Sequence, residues 1–558
     1  MNEHFHILDW IVLIGYFGVT MGIGLSFYRK TRTPEGYTAA NRSLPGWACG
    51  LSILATYLSS ISYLALPGKS FAANWNPFVF SLSIPVVAII AVKYFLPYYR
   101  RSGEVSAYAL LERRFGPWAR VYASAFYLLT QVARIAVVMY LMALPMQVIF
   151  GWNIYTILIV TGVCVTFYSF VGGLTAVIWT DAIQAIVLMA GAVACLAIML
   201  IHMPGGAIKA LATTTVQGKF SLGSFAPSLA APTFWVVLLY GITINLQNFG
   251  IDQSYIQRYI ASNSDRQARK SLWIGSLLYV PLSALFFLIG TSLFAYYQAG
   301  APVHGNAVSD LDEVKLIVAR QRLLQQGISP DAPSFRSQQT KIAGTLTLKD
   351  IGDRVFPHFI AKHLPAGLTG LLIAAIFAAA MSTVSTSLNS SATLLMSDYF
   401  KRFINPHAGK KQTMLVLYGG TILWGALGTG LSLVLVRLTD SALDIWWILS
   451  GIFGGGMCGL FLLGMISRRA GNTAAITGVL AGVTGILWLS LPKCLDYMLA
   501  MPPTTSMRRW AETIHSSMGG MLSPFHAFMV PVFGTLTILT VGAVTGYISD
   551  KPASIEKG

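Results

Sequence analysis

The feature that most constrains this chain is a series of long apolar stretches separated by polar connections. A helix needs about 20 predominantly apolar residues to span a bilayer, and thirteen stretches of the 558-residue chain meet this requirement. They lie at 7–28, 46–67, 75–98, 119–149, 153–172, 175–202, 233–257, 271–296, 367–397, 413–436, 441–466, 472–492 and 525–547. The sequence therefore predicts an all-α membrane protein with about 13 transmembrane helices.

The composition excludes several classes of protein. Charged residues make up 11% of the chain and hydrophobic residues 55%, whereas soluble domains carry about 25% charged residues. A soluble enzyme, a disordered chain and a nucleic-acid binder are therefore excluded, and the lipid bilayer is the expected surrounding. The five cysteines are scattered, with no spacing typical of a disulfide framework or a metal site.

The net charge of +17 is explained by topology rather than by a polyanionic partner. Basic residues concentrate in alternate connections, at 29–42, 100–120, 258–270, 401–411 and 468–469, and again at 551–557. Positively charged connections mark the cytoplasmic side of a membrane protein. We therefore expect a multi-pass protein of the plasma membrane, in bacteria the inner membrane, with its N-terminus outside and its C-terminus in the cytoplasm.

The middle ten stretches divide into two groups of five, and the first stretch of each group is interrupted. Ser59, Ser60 and Ser62 interrupt 46–67, and the stretch 233–257 is interrupted by Gly241 and then by Asn245, Gln247, Asn248 and Gly250. Because each group has an odd number of spans, the second group must cross the membrane in the opposite orientation to the first. Many secondary transporters have such inverted repeats, and they bind substrate where the helices break. Alternatively, these small and polar residues serve close helix packing.

The predicted units are 1–43, an extra N-terminal helix; 44–232, the first repeat; 233–470, the second repeat with an external loop at 297–365; and 471–558, two additional helices.

A stripe of small polar side chains follows one face of the stretch 367–397. Ser382, Ser385, Thr386 and Asn389 are spaced i, i+3, i+4 and i+7, which places them on one helix face. Hydroxyl and amide oxygens suit a hard monovalent cation better than a transition metal. The alternative is a packing seam of small residues, to which Ala379 and Ala380 would belong.

Asp181 and Arg134 are charged residues that fall well inside apolar stretches, where each needs a partner or a function. Asp181 lies about 10 Å into its helix at 1.5 Å per residue, where hydroxyls and a bound sodium ion would neutralise it. It could also be a helix-start carboxylate near the interface. Arg134 lies near the membrane midplane, and its partner must be Asp181, another protein acceptor or an anionic substrate.

Three segments, taken in order, resemble the sodium:solute symporter family. They are Gly172-Gly-Leu-Thr-Ala-Val-Ile-Trp-Thr-Asp181-Ala-Ile-Gln184, Asp252-Gln-Ser-Tyr-Ile-Gln257-Arg258-Tyr259, and Leu364-Pro-Ala-Gly-Leu-Thr-Gly370 leading into Ala380-Met-Ser-Thr-Val-Ser385. The resemblance covers about residues 7–466. It implies a sodium-driven transporter with inverted five-helix repeats, a LeuT-like fold.

The resemblance also implies the ligands of two sodium ions. Backbone carbonyls of Ala55, Leu58 and Ala379 would join the hydroxyls of Ser382 and Thr383 in the site common to the family. In an additional site, found in some members, the ligands would be Asp181, Ser382, Ser385 and Thr386. This combination resembles the bacterial sialic acid transporters.

In those transporters the arginine that corresponds to Arg134 faces the substrate carboxylate. The residues expected around the solute here are Tyr57, Ser59, Ser62, Phe78, Arg134 and Asn248. Ser59 and Ser62 match hydroxyl residues of the family, but Tyr57 replaces a threonine. The segment 78–83 contains no counterpart of the family's glutamine.

We therefore expect a monomeric sodium-coupled symporter that imports a small carboxylate-bearing solute, sialic acid first, by alternating access. A neutral sugar or another organic acid is the alternative within this class. A polytopic membrane enzyme would need a base and a nucleophile close together, yet the nine histidines lie at termini, loops or the ends of spans. We therefore expect a protein that is not an enzyme.

Overall fold

A computed structural model describes residues 5–27, 31–299, 309–325, 328–438, 442–499 and 506–549. Throughout these ranges the regular structure is helical, as predicted. Four basic residues that contributed to the predicted orientation, Arg29, Lys30, Lys551 and Lys557, lie outside the described residues.

The α-helices are numbered in chain order. They are α1 Ile7–Ser26, α2 Pro34–Ala39, α3 Gly46–Tyr57, α4 Ser60–Ala72, α5 Val79–Leu82, α6 Ile84–Ile90, α7 Leu96–Ser102, α8 Ala109–Phe115, α9 Pro117–Phe150, α10 Ile154–Ile201, α11 Ala207–Val216, α12 Phe234–Ile251, α13 Gln253–Ala261, α14 Asp265–Ala299, α15 Asp310–Gln325, α16 Phe335–Thr345, α17 Leu348–His363, α18 Leu368–Leu394, α19 Lys410–Leu438, α20 Ala442–Ile466, α21 Asn472–Leu499, α22 Ser506–Met518 and α23 Met529–Ser549. Short π-helical segments, Ala91–Phe95 and Leu395–Ile404, continue α6 and α18.

The number of spans agrees with the prediction once the longest helix is divided. Among the described residues, 11 helices are long and apolar enough to cross a membrane, and the bent pair α3–α4 brings the number to 12. Helix α10 has 48 residues, or about 72 Å at 1.5 Å per residue, more than twice the thickness of a bilayer core. At its centre Gly173 has the non-helical dihedrals φ 50° and ψ −162°. The helix thus holds the two predicted spans 153–172 and 175–202.

The structure has a break in each of the two predicted stretches, and a capping side chain sets the position of each break. Helices α3 and α4 meet at 56°, and Ser59 begins α4 by accepting a hydrogen bond from the Ile61 backbone (3.2 Å). The second break lies at Asp252, which accepts from the Ser254 backbone (2.8 Å). The prediction of a break at 245–250 was wrong, because that segment remains helical in α12.

Two helices extend beyond the predicted stretches 46–67 and 472–492, each of which has a proline as its last residue. Helix α4 continues through Pro67 to Ala72, and α21 continues through Pro492 to Leu499. Neighbouring helices can satisfy the backbone groups that a proline frees in a membrane span. The loop 297–365 contains α15, α16 and α17.

Helix α18 occupies the centre of the protein and is buried along nearly its whole length. It packs against α1, α3, α9, α10 and α19. The polar stripe on α18 therefore faces other helices rather than lipid, and the break between α3 and α4 lies beside it.

Candidate functional site

A cavity of about 230 Å³ lies between the two broken helices. Its walls include five of the six residues predicted to surround the solute: Tyr57, Ser59, Ser62, Arg134 and Asn248. Lys69 near the end of α4, Val237 near the start of α12 and Phe528 just before α23 also line it. The cavity therefore runs from the helix breaks toward the membrane face at which α4 ends and α12 begins.

The aromatic side of the cavity differs from the prediction at one residue. Phe78 packs against the rings of Trp75 and Phe287, with centroid distances of 5.4 and 5.7 Å, while Phe80 lines the cavity. Tyr57 connects the two broken helices, because its hydroxyl donates a hydrogen bond to Asn245 Oδ1 of α12.

Arg134 lies on α9 and reaches both breaks. One terminal nitrogen donates to the carbonyl oxygen of Thr56 at 3.3 Å, and the other lies 3.8 Å from Asp252 Oδ2. The Arg134 and Asp252 side chains are 12% and 11% exposed. Of the partners left open by the sequence, the structure therefore provides a protein acceptor, Asp252, and excludes Asp181, which is paired elsewhere.

Four of the five oxygens predicted for the common sodium site converge where α18 passes the end of α3. The Ser382 hydroxyl lies 3.0 Å from the Ala55 carbonyl oxygen and 3.2 Å from that of Ala379. The Thr383 hydroxyl lies 3.1 Å from the Ala379 carbonyl oxygen. Leu58 ends α3 in extended backbone at the same break. All five residues are buried, and an oxygen-only set of this kind fits a hard cation such as sodium.

Asp181 has a positive partner that the sequence analysis did not assign to it. Its Oδ2 atom accepts hydrogen bonds from Ser52 (2.6 Å) and Arg258 (3.0 Å), and both charged side chains are fully buried. Arg258 also donates to the Thr386 hydroxyl at 2.5 Å. Arg258 was counted among the basic residues of a polar connection, but α13 packs among other helices and the Arg258 side chain is fully buried.

The second carboxylate oxygen of Asp181 remains available for a ligand. Asp181 Oδ1 is buried and has no hydrogen-bond partner in the described part of the chain. Of the other residues predicted around it, Ser385 donates to the Ser382 carbonyl oxygen at 3.1 Å, and Thr386 lies 3.5 Å from Oδ2. Arg258 therefore supplies the neutralising charge that the sequence analysis expected from a sodium ion.

Ion pairs join the helices at the opposite end of the protein. Arg120 on α9 binds Glu112 on α8 (2.8 Å) and Asp398 beyond α18 (2.6 Å), and Arg402 binds Glu112 (2.6 Å). Partial burial opposes ionisation of Glu112, but hydrogen bonds from the two guanidinium groups lower its pKa below the usual value. These contacts hold together the end that lies across the membrane from the cavity mouth.

Comparison with known proteins identifies the family. A model of the sodium:solute symporter family matches residues 37–329 and 332–482. The chain belongs to the sodium:solute symporter family. As a member it is a sodium-coupled membrane symporter and not an enzyme, which confirms the predicted class.

Curated relatives of this symporter match along most of their length. The sodium/sialic acid symporter NanT of Aliivibrio fischeri is 29% identical, with 89% of this chain and 90% of the relative covered. The sodium/sialic acid symporter SiaT of Proteus mirabilis is 30% identical, with coverages of 87% and 89%. The mouse sodium-coupled monocarboxylate transporter 2 is 27% identical, with coverages of 88% and 73%.

The solved structures include a Na⁺-coupled sialic acid symporter in a substrate-bound outward-open state. It matches this symporter with a TM-score of 0.78 and 25% identity, over 98% of this chain and 99% of the other. This similarity confirms the predicted fold class of inverted repeats with a broken first helix.

Sequence reasoning missed Asp252 and the buried position of Arg258 as parts of the site. Both lie in the segment that carries the family resemblance, and aspartate is one of the residues preferred at a helix N-cap. The cap signal could have located the second break. No local pattern indicated that Arg258 pairs with Asp181, because 77 residues separate them.

Proposed function

We propose that this symporter imports a small carboxylate-bearing solute with sodium by alternating access, and that sialic acid is the first candidate. The solute would bind in the cavity between the breaks, beside Ser59, Ser62 and Asn248. The relatives NanT and SiaT are named for sialic acid, and this symporter covers most of the length of both.

The position of Arg134 is the observation that carries the proposal. A guanidinium group offers a planar set of donors that matches a carboxylate. The separation of 3.8 Å between Arg134 and Asp252 exceeds hydrogen-bond length, so the pair can accept a carboxylate without breaking a direct hydrogen bond. The cavity lining contains the basic residues Lys69 and Arg134. Arg134 lies mid-way along α9 and is therefore the one near the middle of the membrane.

We propose that two sodium ions accompany the solute. The first would bind Ala55, Leu58, Ala379, Ser382 and Thr383. The second would use Asp181, Ser382, Ser385 and Thr386, and the buried Oδ1 atom of Asp181 supports this second site. Because Arg258 already neutralises Asp181, we expect the second site to bind its ion more weakly than the first.

A neutral sugar or another organic acid is the second candidate solute. Asp252 favours the neutral sugar, because its charge compensates that of Arg134 in the empty cavity. The monocarboxylate transporter among the relatives favours a smaller organic acid. These candidates differ from sialic acid in whether a carboxylate and a sugar ring are both required.

The placement in the membrane is also a proposal. We propose a monomer in the bacterial inner membrane, with the N-terminus outside and the C-terminus in the cytoplasm, so that the cavity faces outward. We retain the units 1–43, 44–232, 233–470 and 471–558, since the broken helices begin at Gly46 and Phe234. Labelling of single cysteines with a membrane-impermeant maleimide in intact cells tests the orientation.

Uptake into proteoliposomes tests the function. The purified protein is supplied with an inward sodium gradient and, separately, sialic acid, its methyl ester, an uncharged hexose and lactate. We expect accumulation of sialic acid that requires sodium and little accumulation of the ester. Equal uptake driven by a proton gradient without sodium would contradict sodium coupling, and preferential uptake of the hexose would replace the solute class.

A further inference from the structure

Helix α18 has a second polar face in addition to the stripe predicted from the sequence. Thr383, Ser387 and Ser390 are spaced i, i+4 and i+7, which places them on one side of the helix, and all three are buried. The Ser387 hydroxyl donates a hydrogen bond to Gln131 Oε1 (2.7 Å), and the Tyr127 hydroxyl donates to Ser390 Oγ (2.8 Å). This face of α18 is therefore joined to α9 by hydrogen bonds between side chains.

Gln131 connects this joint to the solute cavity. Of the four residues in these two bonds, Gln131 is the one that lines the cavity in the described part of the chain. It lies three residues before Arg134 on α9, so the two side chains project from the same side of the helix. Gln131 therefore stands between the proposed solute site and α18.

The two ends of the Gln131 amide have different surroundings. Oε1 faces Ser387, whose hydroxyl makes no other hydrogen bond within the described ranges, so a reversed amide would leave the hydroxyl proton without an acceptor. Nε2 donates to no protein acceptor in those ranges, yet it is not among the buried polar atoms that lack a partner. This nitrogen therefore reaches the open space of the cavity, where it can donate to a bound molecule.

Ser387 also lies close to the proposed sodium ligands of α18. It follows Thr383 of the first site by one helical turn and Thr386 of the second site by one residue. An ion bound to either threonine would restrain the turn of α18 from which Ser387 projects. The hydrogen bond from Ser387 would then fix the Gln131 amide beside the cavity.

We infer that Gln131 is a solute-binding residue whose position is set by Ser387. Its Nε2 atom donates a hydrogen bond to an oxygen of the solute next to the carboxylate that Arg134 binds. This inference rests on the proposed carboxylate solute and sodium sites, and it adds the contact through which α18 acts on the solute. Because coupling between two ligands is reciprocal, loss of the Ser387 bond should weaken solute binding and its dependence on sodium together.

Calorimetric titration of sialic acid into the purified full-length protein tests this role. Titrations are made at a limiting and at a saturating sodium concentration, with choline chloride keeping the ionic strength constant. The variants are Gln131→Met, which nearly conserves the side-chain volume, Ser387→Ala, which leaves Gln131 intact, and the two combined. Ser390→Ala is the matched control, because it removes the bond from Tyr127, which joins the same helices away from the cavity. Melting temperatures with and without sodium show that each variant is folded.

We expect Gln131→Met to raise the dissociation constant at saturating sodium about tenfold, as the loss of one hydrogen bond predicts. Ser387→Ala should raise it roughly three- to tenfold and should reduce the gain in affinity that sodium brings. The combined variant should bind no more weakly than Gln131→Met, because both changes break one link. Ser390→Ala should stay within about twofold of wild type, since its bond does not reach the cavity.

Four results would overturn the inference, and they separate it from the proposed function. If Gln131→Met binds sialic acid as tightly as wild type, Gln131 does not bind the solute and the carboxylate solute remains. If Ser387→Ala and Ser390→Ala lose affinity equally, the contact between α9 and α18 is structural. If Ser387→Ala weakens Gln131→Met by the same factor as it weakens wild type, the two residues act independently. If wild type binds neither sialic acid nor lactate, the carboxylate solute is refuted and the role of Gln131 with it.

Discussion

At the residue scale, the proposed solute class depends on Arg134, which lines the cavity. Arg134→Lys keeps the positive charge but removes the planar set of donors that reaches Thr56 and Asp252. We expect the variant to fold and bind sodium, while its affinity for the carboxylate solute falls at least about tenfold, or about 1.4 kcal/mol. Calorimetry of wild type and variant with the acid and its amide gives a double cycle. A coupling energy near zero would return neutral sugars to first place.

In the first sodium site that we propose, the Ser382 hydroxyl lies within 3.2 Å of two carbonyl oxygens. Ser382→Ala removes one predicted ligand from a fully buried site. We expect the sodium concentration for half-maximal uptake to rise about tenfold or more, corresponding to about 1.4 kcal/mol. Ser391→Ala on the same helix is the matched control, since the Ser391 hydroxyl is buried without a hydrogen-bond partner in the described residues. Equal sodium dependence of the two variants would argue against this site.

At the scale of elements, the extra helix α1 holds the start of α18. Asp9 of α1 is fully buried, and its Oδ1 atom accepts from the backbone nitrogens of Gly367 (2.8 Å) and Gly370 (2.7 Å). A side chain from one helix thus caps the N-terminus of another, where unpaired N–H groups and the helix dipole favour a carboxylate. The glycine at 370 is required, because a Cβ atom there would lie 2.6 Å from Asp9.

Removing this cap should destabilise the protein through α18. Asp9→Ala leaves the buried Gly370 N–H and the part-buried Gly367 N–H without this acceptor, and it also removes the bond from the His6 N–H to Asp9 Oδ2 (3.0 Å); we expect a loss of about 1–3 kcal/mol of stability. Asp9→Asn keeps an acceptor oxygen and should lose less. Thermal unfolding in detergent measures both variants. A melting temperature of Asp9→Ala equal to wild type would show that α1 does not support α18.

At the scale of the whole molecule, the number of sodium ions determines whether transport responds to voltage. One sodium with a monoanion carries no net charge, whereas two sodium ions carry one positive charge inward, worth about 2.3 kcal/mol at 100 mV. We therefore expect an inside-negative potassium–valinomycin potential to stimulate uptake of sialic acid by the wild type. Voltage-independent uptake would reduce the stoichiometry to one ion.

The second ion should be removable without disturbing the buried ion pair. Asp181→Asn would leave Arg258 buried without its partner and so confuse binding with stability. Ser385→Ala avoids this, because the Ser385 hydroxyl donates within α18, to the Ser382 carbonyl oxygen, whereas the hydrogen bonds of the Asp181–Arg258 pair involve Ser52 and Thr386. We expect Ser385→Ala to lower the sodium Hill coefficient toward one and to abolish the response to voltage. An unchanged Hill coefficient in this variant would exclude Ser385 from the second site.

The sequence by itself determined the features that depend on local composition and periodicity. Apolar stretches long enough for a bilayer predicted the spans, and the i, i+3, i+4, i+7 spacing placed the α18 hydroxyls on one face. These features were predictable because a helix fixes the relation between residues that are close in sequence. The family motifs point to Ala55, Ala379, Ser382 and Thr383 as sodium ligands, which stays a prediction, and the fold decided that Ala55 meets Ser382, 327 residues away.

Only the tertiary structure decided which distant groups meet. Arg134 faces Asp252 and Arg258 faces Asp181. All four residues are visible in the sequence, but nothing in their spacing indicates which of them pair. The breaks and the continuation of helices through prolines likewise depended on caps and on neighbouring helices. In a membrane, a buried charge must find its partner wherever the packing of the helices places one, and this packing joins residues that are far apart in the chain.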